Sequence, residues 1–231
     1  MNKVYLFNYF LMLFKLKLIR ISRFEQILIS IFGTHKPFSF VQVGANDGIS
    51  FDNLYPIVTQ RKCTGIVIEP VTNYYQKLEI AYSAFPKIIP TNVCVHANHE
   101  WVNIYKVDQE YSAELPVWAV GIASLDPKHH ERLNIPEAAI VTEQVQCEHL
   151  MTLFGRFAIT KLDLLQIDTE GYDAAIIEML DFSLIRPTVI KFEYTHLSKD
   201  GFNRTRNLLI KNGYKIKRDR NDIIAVAQYK L

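Results

Sequence analysis

The sequence has few cysteines, and none of them is paired at a spacing typical of metal binding. Cys63, Cys94 and Cys147 are an odd number of widely separated residues, and no CxxC motif occurs. This pattern argues against a disulfide scaffold and against a zinc site built on cysteine pairs. We therefore expect buried, reduced thiols and a cytoplasmic protein.

The sequence also lacks an apolar run long enough to cross a bilayer. The stretch from Val4 to Phe14 is shorter than the ~20 residues of a membrane-spanning helix. Basic residues follow it, no acidic residue precedes Glu25, and no small-residue signal-peptide cleavage site is present. We predict a basic amphipathic helical segment over residues 1–35. Two roles stay open: contact of residues 1–24 with the inner face of a membrane, or packing on the domain.

Neither sign of charge dominates, since 26 lysines and arginines face 24 aspartates and glutamates. A net charge of +2 gives no electrostatic reason to expect a nucleic acid partner. With 49% hydrophobic and 22% charged residues, the composition is typical of a globular protein. The 231 residues suit one domain of moderate size, which we place at residues 36–231.

From residue 38 onward, apolar runs of strand length alternate with helical patterns. The predicted strands are 38–43, 64–68, 87–95, 101–107, 142–147, 162–167, 188–192, 214–217 and 223–228. The predicted helices include 52–61, 172–180, 203–211 and one that ends at Tyr82. This order predicts an α/β fold with a mostly parallel sheet, helices on both faces and a closing hairpin. Ligands of such sheets bind at the carboxyl ends of the strands.

Glycines and polar residues recur where the predicted strands end. The first strand runs into GANDG at residues 44–48, and the second closes at Glu69. The GANDG turn is not the dinucleotide fingerprint, because GxGxxG would need glycine at Asn46 and Ile49. A strand-end carboxylate such as Glu69 accepts hydrogen bonds from ribose hydroxyls in nucleoside-binding folds. The two features together favour a nucleoside-containing ligand.

Three sequence blocks resemble the FkbM family of S-adenosylmethionine-dependent methyltransferases. They are VQVGANDG at residues 41–48, GIVIEP at residues 65–70 and LQIDTEGYD at residues 165–173, in the order expected for the family. The resemblance covers roughly residues 38–228. It implies a Rossmann-like class I methyltransferase fold, with a seven-stranded sheet whose last strand is antiparallel.

The resemblance also implies the cofactor, S-adenosylmethionine, and the residues around it. The Gly44–Gly48 turn would lie against the methionine part, Glu69 would hold the ribose, and Asn92 with Val93 would lie by the adenine. The cofactor-binding residues expected on this basis are Gly44, Asn46, Asp47, Gly48, Glu69, Pro70, Asn92, Val93, Ser124, Asp168 and Glu170. Family members commonly methylate hydroxyls of sugars or natural products, which implies a glycan or small-molecule acceptor and a place in polysaccharide biosynthesis.

Methyl transfer to an alcohol requires a group that aligns the oxygen and removes its proton. Asp168, Glu193 and His196 are the candidate catalytic residues, because they follow predicted strands. They also offer metal ligands, but no spaced ligand motif demands a metal, so we assign no metal-binding residue and the need for a divalent ion stays open. The pair His129-His130 lies in a polar stretch, and we predict that it is solvated. The irregular segment 108–141 is predicted to cover the acceptor.

Two other functions are compatible with the residues alone. A nicotinamide-dependent oxidoreductase could share this type of sheet, but the broken glycine fingerprint counts against it. A non-catalytic, membrane-associated module could keep the fold without activity. The intact set of Gly44, Asp47, Glu69 and Asp168 counts against that second alternative.

Overall fold

A computed structural model describes residues 22–50, 53–111 and 113–228. The described residues divide into two units, with a boundary between Thr34 and His35. In the first unit, helix α1 (Arg23–Phe32) begins after Ser22, whose hydroxyl oxygen accepts a hydrogen bond from the Glu25 N–H. Residues 1–21, which carry most of the predicted membrane-contacting segment, lie outside the described residues. Within the described ranges, every helix is too short or too polar to cross a bilayer.

The second unit alternates strands with helices. Its strands are β1 (Ser39–Val43), β2 (Thr64–Ile68), β3 (Ile88–Thr91), β4 (Cys94–Val95), β5 (Trp101–Val107), β6 (Ala123–Ser124), β7 (Ile140–Glu148), β8 (Leu164–Ile167), β9 (Val189–Glu193), β10 (Tyr214–Asp219) and β11 (Asp222–Ala227). Its helices are α2 (Tyr55–Gln60), α3 (Thr72–Tyr82), α4 (His129–Arg132), α5 (Leu150–Arg156), α6 (Asp173–Glu178) and α7 (Lys199–Lys211).

The main sheet has seven strands in the order β10-β11-β9-β8-β1-β2-β3. Strands β9, β8, β1, β2 and β3 pair in parallel, while β11 runs antiparallel to both β9 and β10. The chain moves from β1 towards β3 on one side and from β8 to β9 on the other. Because such crossovers are right-handed, the helices that follow these strands lie on opposite faces. The direction reverses between β1 and β8, which is where ligands bind in open α/β sheets.

A second sheet, in the order β4-β7-β5-β6, was not predicted. The strand expected over residues 87–95 was wrong as one element, because the chain leaves the main sheet after Thr91 and enters the second at Cys94. The strands expected at 101–107 and 142–147 pair antiparallel in this second sheet. Alternating apolar residues predict a strand but not which sheet it joins.

The central strands are buried on both faces, as continuous apolar runs require. Val41 of β1, Leu165 of β8 and Ile190 of β9 belong to one core cluster and are at most 1% exposed. The three cysteines are buried free thiols, as predicted. The core therefore holds β1, β8 and β9 rigidly side by side, and their carboxyl ends form one edge.

Candidate active site

The turn after β1 is packed against the turn after β8. Gly44 has φ +78°, and a Cβ on it would lie 1.8 Å from the main-chain oxygen of Asp168. The Asp168 N–H donates to the Val43 carbonyl, and the Gly44 and Ala45 N–H groups both donate to the Ile68 carbonyl. Only glycine allows this approach, so the GANDG turn and Asp168 share one location.

The end of β2 is joined to the same turn through Glu69. The Asn46 N–H donates to Glu69 Oε2 at 2.8 Å, and the Val71 N–H donates to Oε1 at 2.9 Å. The side chain is 4% exposed, and burial raises the pKa of Glu69 to about 7 despite these two hydrogen bonds. Each oxygen keeps a further acceptor site. The carboxylate therefore fits the paired hydroxyls of a ribose.

Asp47 and Gly48 shape the turn itself. Asp47 accepts hydrogen bonds from the N–H groups of Ile49 and Ser50 and from the Ser50 hydroxyl. Burial would raise the pKa of Asp47, but these hydrogen bonds hold it below its usual value. Gly48 has φ +77°, which favours glycine. A contact of Asp47 with the cofactor stays a prediction, because its carboxylate is engaged within the turn.

Asn92 holds the segment between β3 and β4 against the end of β2. Its side-chain amide donates to the carbonyl oxygens of Glu69 and Pro70, both at 2.9 Å. Val93 beside it is buried. Both residues line a cavity of about 430 Å³ that also includes Phe157. Pro70, Asn92 and Val93 therefore lie next to the Glu69 end of the site, where the adenine was expected.

The segment after β5 contacts both strand-end turns. The Asn46 side-chain amide donates to the Gly121 carbonyl at 2.9 Å, and the Tyr74 hydroxyl donates to the Val120 carbonyl. The Ser124 hydroxyl donates to the main-chain oxygen of Glu170 at 3.0 Å. Ser124 therefore contacts the turn after β8. A role of this segment as the acceptor cover stays a prediction.

Carboxylates and imidazoles converge at the ends of β8 and β9. His196 Nε2 lies 3.3 Å from Glu170 Oε2 and 3.5 Å from Glu193 Oε2. Carboxylate oxygens of Asp168, Glu170 and Glu193 lie within 4.8 Å of one another. The structure thus brings together the three predicted catalytic residues, Asp168, Glu193 and His196, with Glu170, which was expected among the cofactor-binding residues.

His129 also belongs to this group, so the prediction that it is solvated was wrong. It is 2% exposed, and its Nε2 lies 3.0 Å from Glu170 Oε2. Helix α4 carries it to a residue 41 positions away in the sequence. A histidine in a polar stretch gives no local signal of such a contact, because its burial depends on how segment 108–141 folds back.

Asp173 is a buried acid that the sequence analysis did not single out. It is 0% exposed, and it accepts hydrogen bonds from the Thr169 hydroxyl, the Thr169 N–H and the Glu193 N–H. Burial raises the pKa of Asp173 to about 6. Its position at the start of α6 ties the turn after β8 to the end of β9 and so positions the cluster.

Desolvation and mutual repulsion make the clustered carboxylates stronger bases. Asp168 is exposed as a residue, but the neighbouring strand ends still desolvate its carboxylate. This desolvation, with the charges of Asp173, Glu170 and Glu193, raises the pKa of Asp168 well above its usual value. Burial and the Glu170 charge likewise raise the pKa of Glu193. Burial lowers the pKa of His196 against the opposing pull of Glu170, which favours the neutral imidazole.

Comparison with known proteins identifies the family and the fold of the chain. Residues 42–216 match the family described as the methyltransferase FkbM domain. No curated protein matches the sequence. The METTL16 methyltransferase domain superposes with TM-score 0.50 at 10% identity, over 93% of this chain and 71% of that one.

Two further solved structures are less similar in shape. The precorrin-6y C5,15-methyltransferase of Geobacter metallireducens gives TM-score 0.44 at 10% identity, covering 92% of each chain. The fibrillarin of Aeropyrum pernix, solved with bound S-adenosylmethionine, gives TM-score 0.43 at 13% identity, over 84% of this chain and 68% of that one. The METTL16 likeness shows the fold alone, which is the class I Rossmann-like methyltransferase fold. With the match over residues 42–216, the chain belongs to the FkbM methyltransferase family and is an S-adenosylmethionine-dependent methyltransferase.

Proposed function

We propose that this enzyme methylates a hydroxyl group of a sugar, a glycan or a small molecule. The observation that carries the proposal is the convergence of Asp168, Glu193 and His196 beside the Gly44 turn. An alcohol is a poor nucleophile until its proton is removed, so its methylation requires a proton acceptor close to the methyl donor. A group of unusually basic carboxylates at this edge supplies one.

The cofactor would lie across the carboxyl ends of β1 and β2. Glu69 would accept hydrogen bonds from the ribose hydroxyls, and the Gly44–Gly48 turn would face the methionine part. Pro70, Asn92 and Val93 would border the adenine. Bound there, S-adenosylmethionine supplies an electrophilic methyl group, whose bond to sulfur breaks with its electron pair staying on sulfur as the acceptor oxygen attacks.

The chain's own residues would prepare the acceptor. Asp168 would take the hydroxyl proton, because its main chain packs against Gly44 and its carboxylate, unlike those of Glu69 and Asp47, belongs to the cluster at the ends of β8 and β9. Glu193 would accept hydrogen bonds from neighbouring hydroxyls, and His196 beside it would help to fix the orientation of the oxygen. Asp173 would hold Glu193 in place through the hydrogen bond to its N–H.

The charge of the site favours a polyhydroxylated acceptor over a phosphorylated one. The carboxylates of Asp168, Glu170 and Glu193 lie together at one edge. Of the nearby cationic side chains, Lys191 pairs with Asp222, and Arg132 pairs with Asp126. Carboxylates accept hydrogen bonds from hydroxyls but repel phosphate groups. This supports a sugar or other polyol and argues against nucleic acid at the reaction centre.

The biological setting that we propose follows from the acceptor. A sugar-methylating enzyme of this kind would act in polysaccharide biosynthesis, and the free thiols of Cys63, Cys94 and Cys147 suit the reducing cytoplasm. The suggestion that residues 1–24 contact the inner face of a membrane belongs to the same proposal.

Transfer of a trideuteromethyl group from labelled S-adenosylmethionine tests the proposal. Nucleotide sugars, free oligosaccharides and phenolic natural products would be offered as acceptors, and mass spectrometry would locate the label. We expect a mass gain on an acceptor hydroxyl, which alkali does not remove as it would remove a methyl ester. Label found only on amines, carboxylates or RNA would refute the proposed acceptor class.

A further inference from the structure

A group of three metal-ligand side chains stands out from the rest of the site. It consists of His129, Glu170 and His196, and we call it the His-Glu-His group. His129 Nε2 and His196 Nε2 lie 3.0 Å and 3.3 Å from the same atom, Glu170 Oε2. The three residues come from helix α4, the turn after β8 and the segment after β9, so only the folded chain assembles them.

The spacing of these atoms is that of ligands around one cation. Ligands about 2.1 Å from a divalent cation lie about 3.0 Å apart in octahedral geometry and about 3.4 Å apart in tetrahedral geometry. The two separations to Glu170 Oε2 fall in this range, and all three ligand atoms lie within 4.8 Å of one another. Glu193 Oε2 lies 3.5 Å from His196 Nε2 and belongs to the adjoining carboxylate group of Asp168, Glu170 and Glu193.

The group is mostly buried, and the partners of its carboxylate are the two imidazoles. His129 is 2% exposed, and its Nδ1 is buried without a hydrogen-bond partner among the described residues. Within those residues, the ion-pair partners of Glu170 are the two imidazoles, and neither a lysine nor an arginine reaches it. Arg132, one turn along from His129, pairs with Asp126 instead. The Nε2 atoms of His129 and His196 and Oε2 of Glu170 thus converge on one small volume, which no lysine or arginine of the described residues enters.

We propose that the His-Glu-His group binds one divalent transition-metal or zinc ion. Two imidazoles with one carboxylate suit Zn²⁺, Mn²⁺, Fe²⁺ or Co²⁺ better than Mg²⁺, which prefers oxygen ligands alone. The sequence assigned no metal-binding residue and left the need for a metal open.

The role of the ion rests on the proposed function, although its binding does not. The shared carboxylate of Glu170 places the ion within a few ångströms of Asp168 and Glu193. There it would hold an acceptor hydroxyl by its oxygen and ease the loss of the proton to Asp168. The ion would also offset the negative charge that Asp168, Glu170 and Glu193 concentrate at one edge.

Cobalt is a direct probe, because its visible absorption reports the ligands. The purified full-length protein would be stripped with a chelator and titrated with Co²⁺ and then Zn²⁺. We expect one equivalent to bind, with a Co²⁺ spectrum typical of nitrogen and oxygen ligands, and Zn²⁺ to displace it. Affinity should fall at least about 100-fold in Glu170→Gln and in His196→Ala. His130→Ala, a change of the neighbouring histidine that lies outside the group, should bind as the parent does.

The variants need a check that they still fold, which S-adenosylhomocysteine binding and thermal melting provide. Glu170 is the safer change, because its side chain is 25% exposed, whereas His129→Ala opens a buried site. Absence of one-to-one binding in the parent overturns the proposal. So does binding that survives both variants but is lost in His96→Ala, since His96 and His99 form a separate ring pair.

The two proposals fail separately. Methyl transfer to a hydroxyl that survives complete chelation, with no Co²⁺ bound, refutes the metal site and leaves the acceptor class standing. Co²⁺ binding that depends on Glu170 and His196, with no hydroxyl acceptor found, supports the metal site and counts against the acceptor class.

Discussion

The Asn46 N–H donates a 2.8 Å hydrogen bond to Oε2 of Glu69, joining the turn after β1 to the end of β2. The glycine turn and Glu69 are the two regions expected to contact the cofactor. This bond couples their positions, because a shift of the turn must also move the carboxylate. The same Asn46 reaches Gly121 through its side chain. A movement of segment 108–141 should therefore shift Asn46 and, through it, the carboxylate that is expected to hold the cofactor.

Cofactor affinity should depend on pH through Glu69. Burial raises the pKa of Glu69 to about 7, and ribose hydroxyls donate better to the ionised form. Below about pH 7 the free enzyme holds a proton there that binding must displace, so affinity should fall by up to about tenfold per pH unit. Calorimetric titration of S-adenosylhomocysteine from pH 5.5 to 8.5 measures this. A profile for Glu69→Gln as steep as that of the parent would contradict the assignment.

The Gly44 turn should not tolerate a methyl group. In Gly44→Ala the new Cβ would meet the main-chain oxygen of Asp168, and φ +78° is strained for alanine. We expect a loss of at least about 3 kcal/mol in the free energy of unfolding, or failure to fold. Gly155→Ala is the matched control, because its Cβ meets nothing within 4 Å and the residue lies in α5. There alanine should be neutral or stabilising by about 0.5 kcal/mol in urea denaturation.

Asp168→Asn should remove catalysis while leaving the cofactor bound. The change keeps the shape of the side chain but removes the proton acceptor, so kcat should fall about 10²- to 10⁴-fold. Affinity for S-adenosylhomocysteine should stay within about threefold, because the main-chain contacts to Val43 and Gly44 persist.

The pH profile of the parent enzyme provides the second part of that test. The base works deprotonated and its pKa is raised when no cation is bound, so kcat/KM of the chelator-treated enzyme should rise with pH through a value above the usual range of aspartate. That acid limb should be lost or displaced in Asp168→Asn. A variant with parent-like rate and an unchanged acid limb would move the base role to another residue.

Asp173 should contribute mainly to the free energy of unfolding and only indirectly to catalysis. Asp173→Ala leaves the buried N–H groups of Thr169 and Glu193 without their acceptor, at about 1–3 kcal/mol for each group. We expect denaturant unfolding to show a loss of about 2–5 kcal/mol. Asp200→Ala, at an exposed position in the first turn of α7, should cost under about 1 kcal/mol. Equal effects of the two changes would show that the Asp173 hydrogen bonds contribute little.

Local patterns predicted the main sheet well, because its strands are defined by burial on both faces. Strands β1 and β2 are apolar runs that end at glycine or at an acid, and their observed bounds differ little from the predicted ones. The second sheet was missed because β5 and β7 alternate like any half-buried strands. Their pairing depends on where the chain leaves β3, and Asn92 with Val93 gives no strong signal of that departure.

The site was predictable to the extent that strand ends must meet at one edge. Asp168, Glu193 and His196 follow β8 and β9, so the topology alone brings them together. His129 could not be predicted in this way, because it belongs to an inserted segment whose path depends on tertiary contacts such as the one from Ser124 to Glu170. Asp173 was not predicted for another reason. An acid at the start of a helix is common, because it interacts favourably with the helix dipole, and so its presence there does not indicate a buried role.

The contact between Glu69 and the ribose is tested most directly by combining a change in the protein with a change in the ligand. S-adenosylhomocysteine and its 2′-deoxyribose analogue would be titrated calorimetrically into the parent enzyme and into Glu69→Gln at pH 8. We predict that loss of the hydroxyl weakens binding to the parent at least about tenfold but weakens binding to the variant only slightly, because the two groups contact each other. Equal weakening in both proteins would contradict the placement of the ribose at Glu69, and with it the cofactor orientation that puts the methyl group beside Asp168.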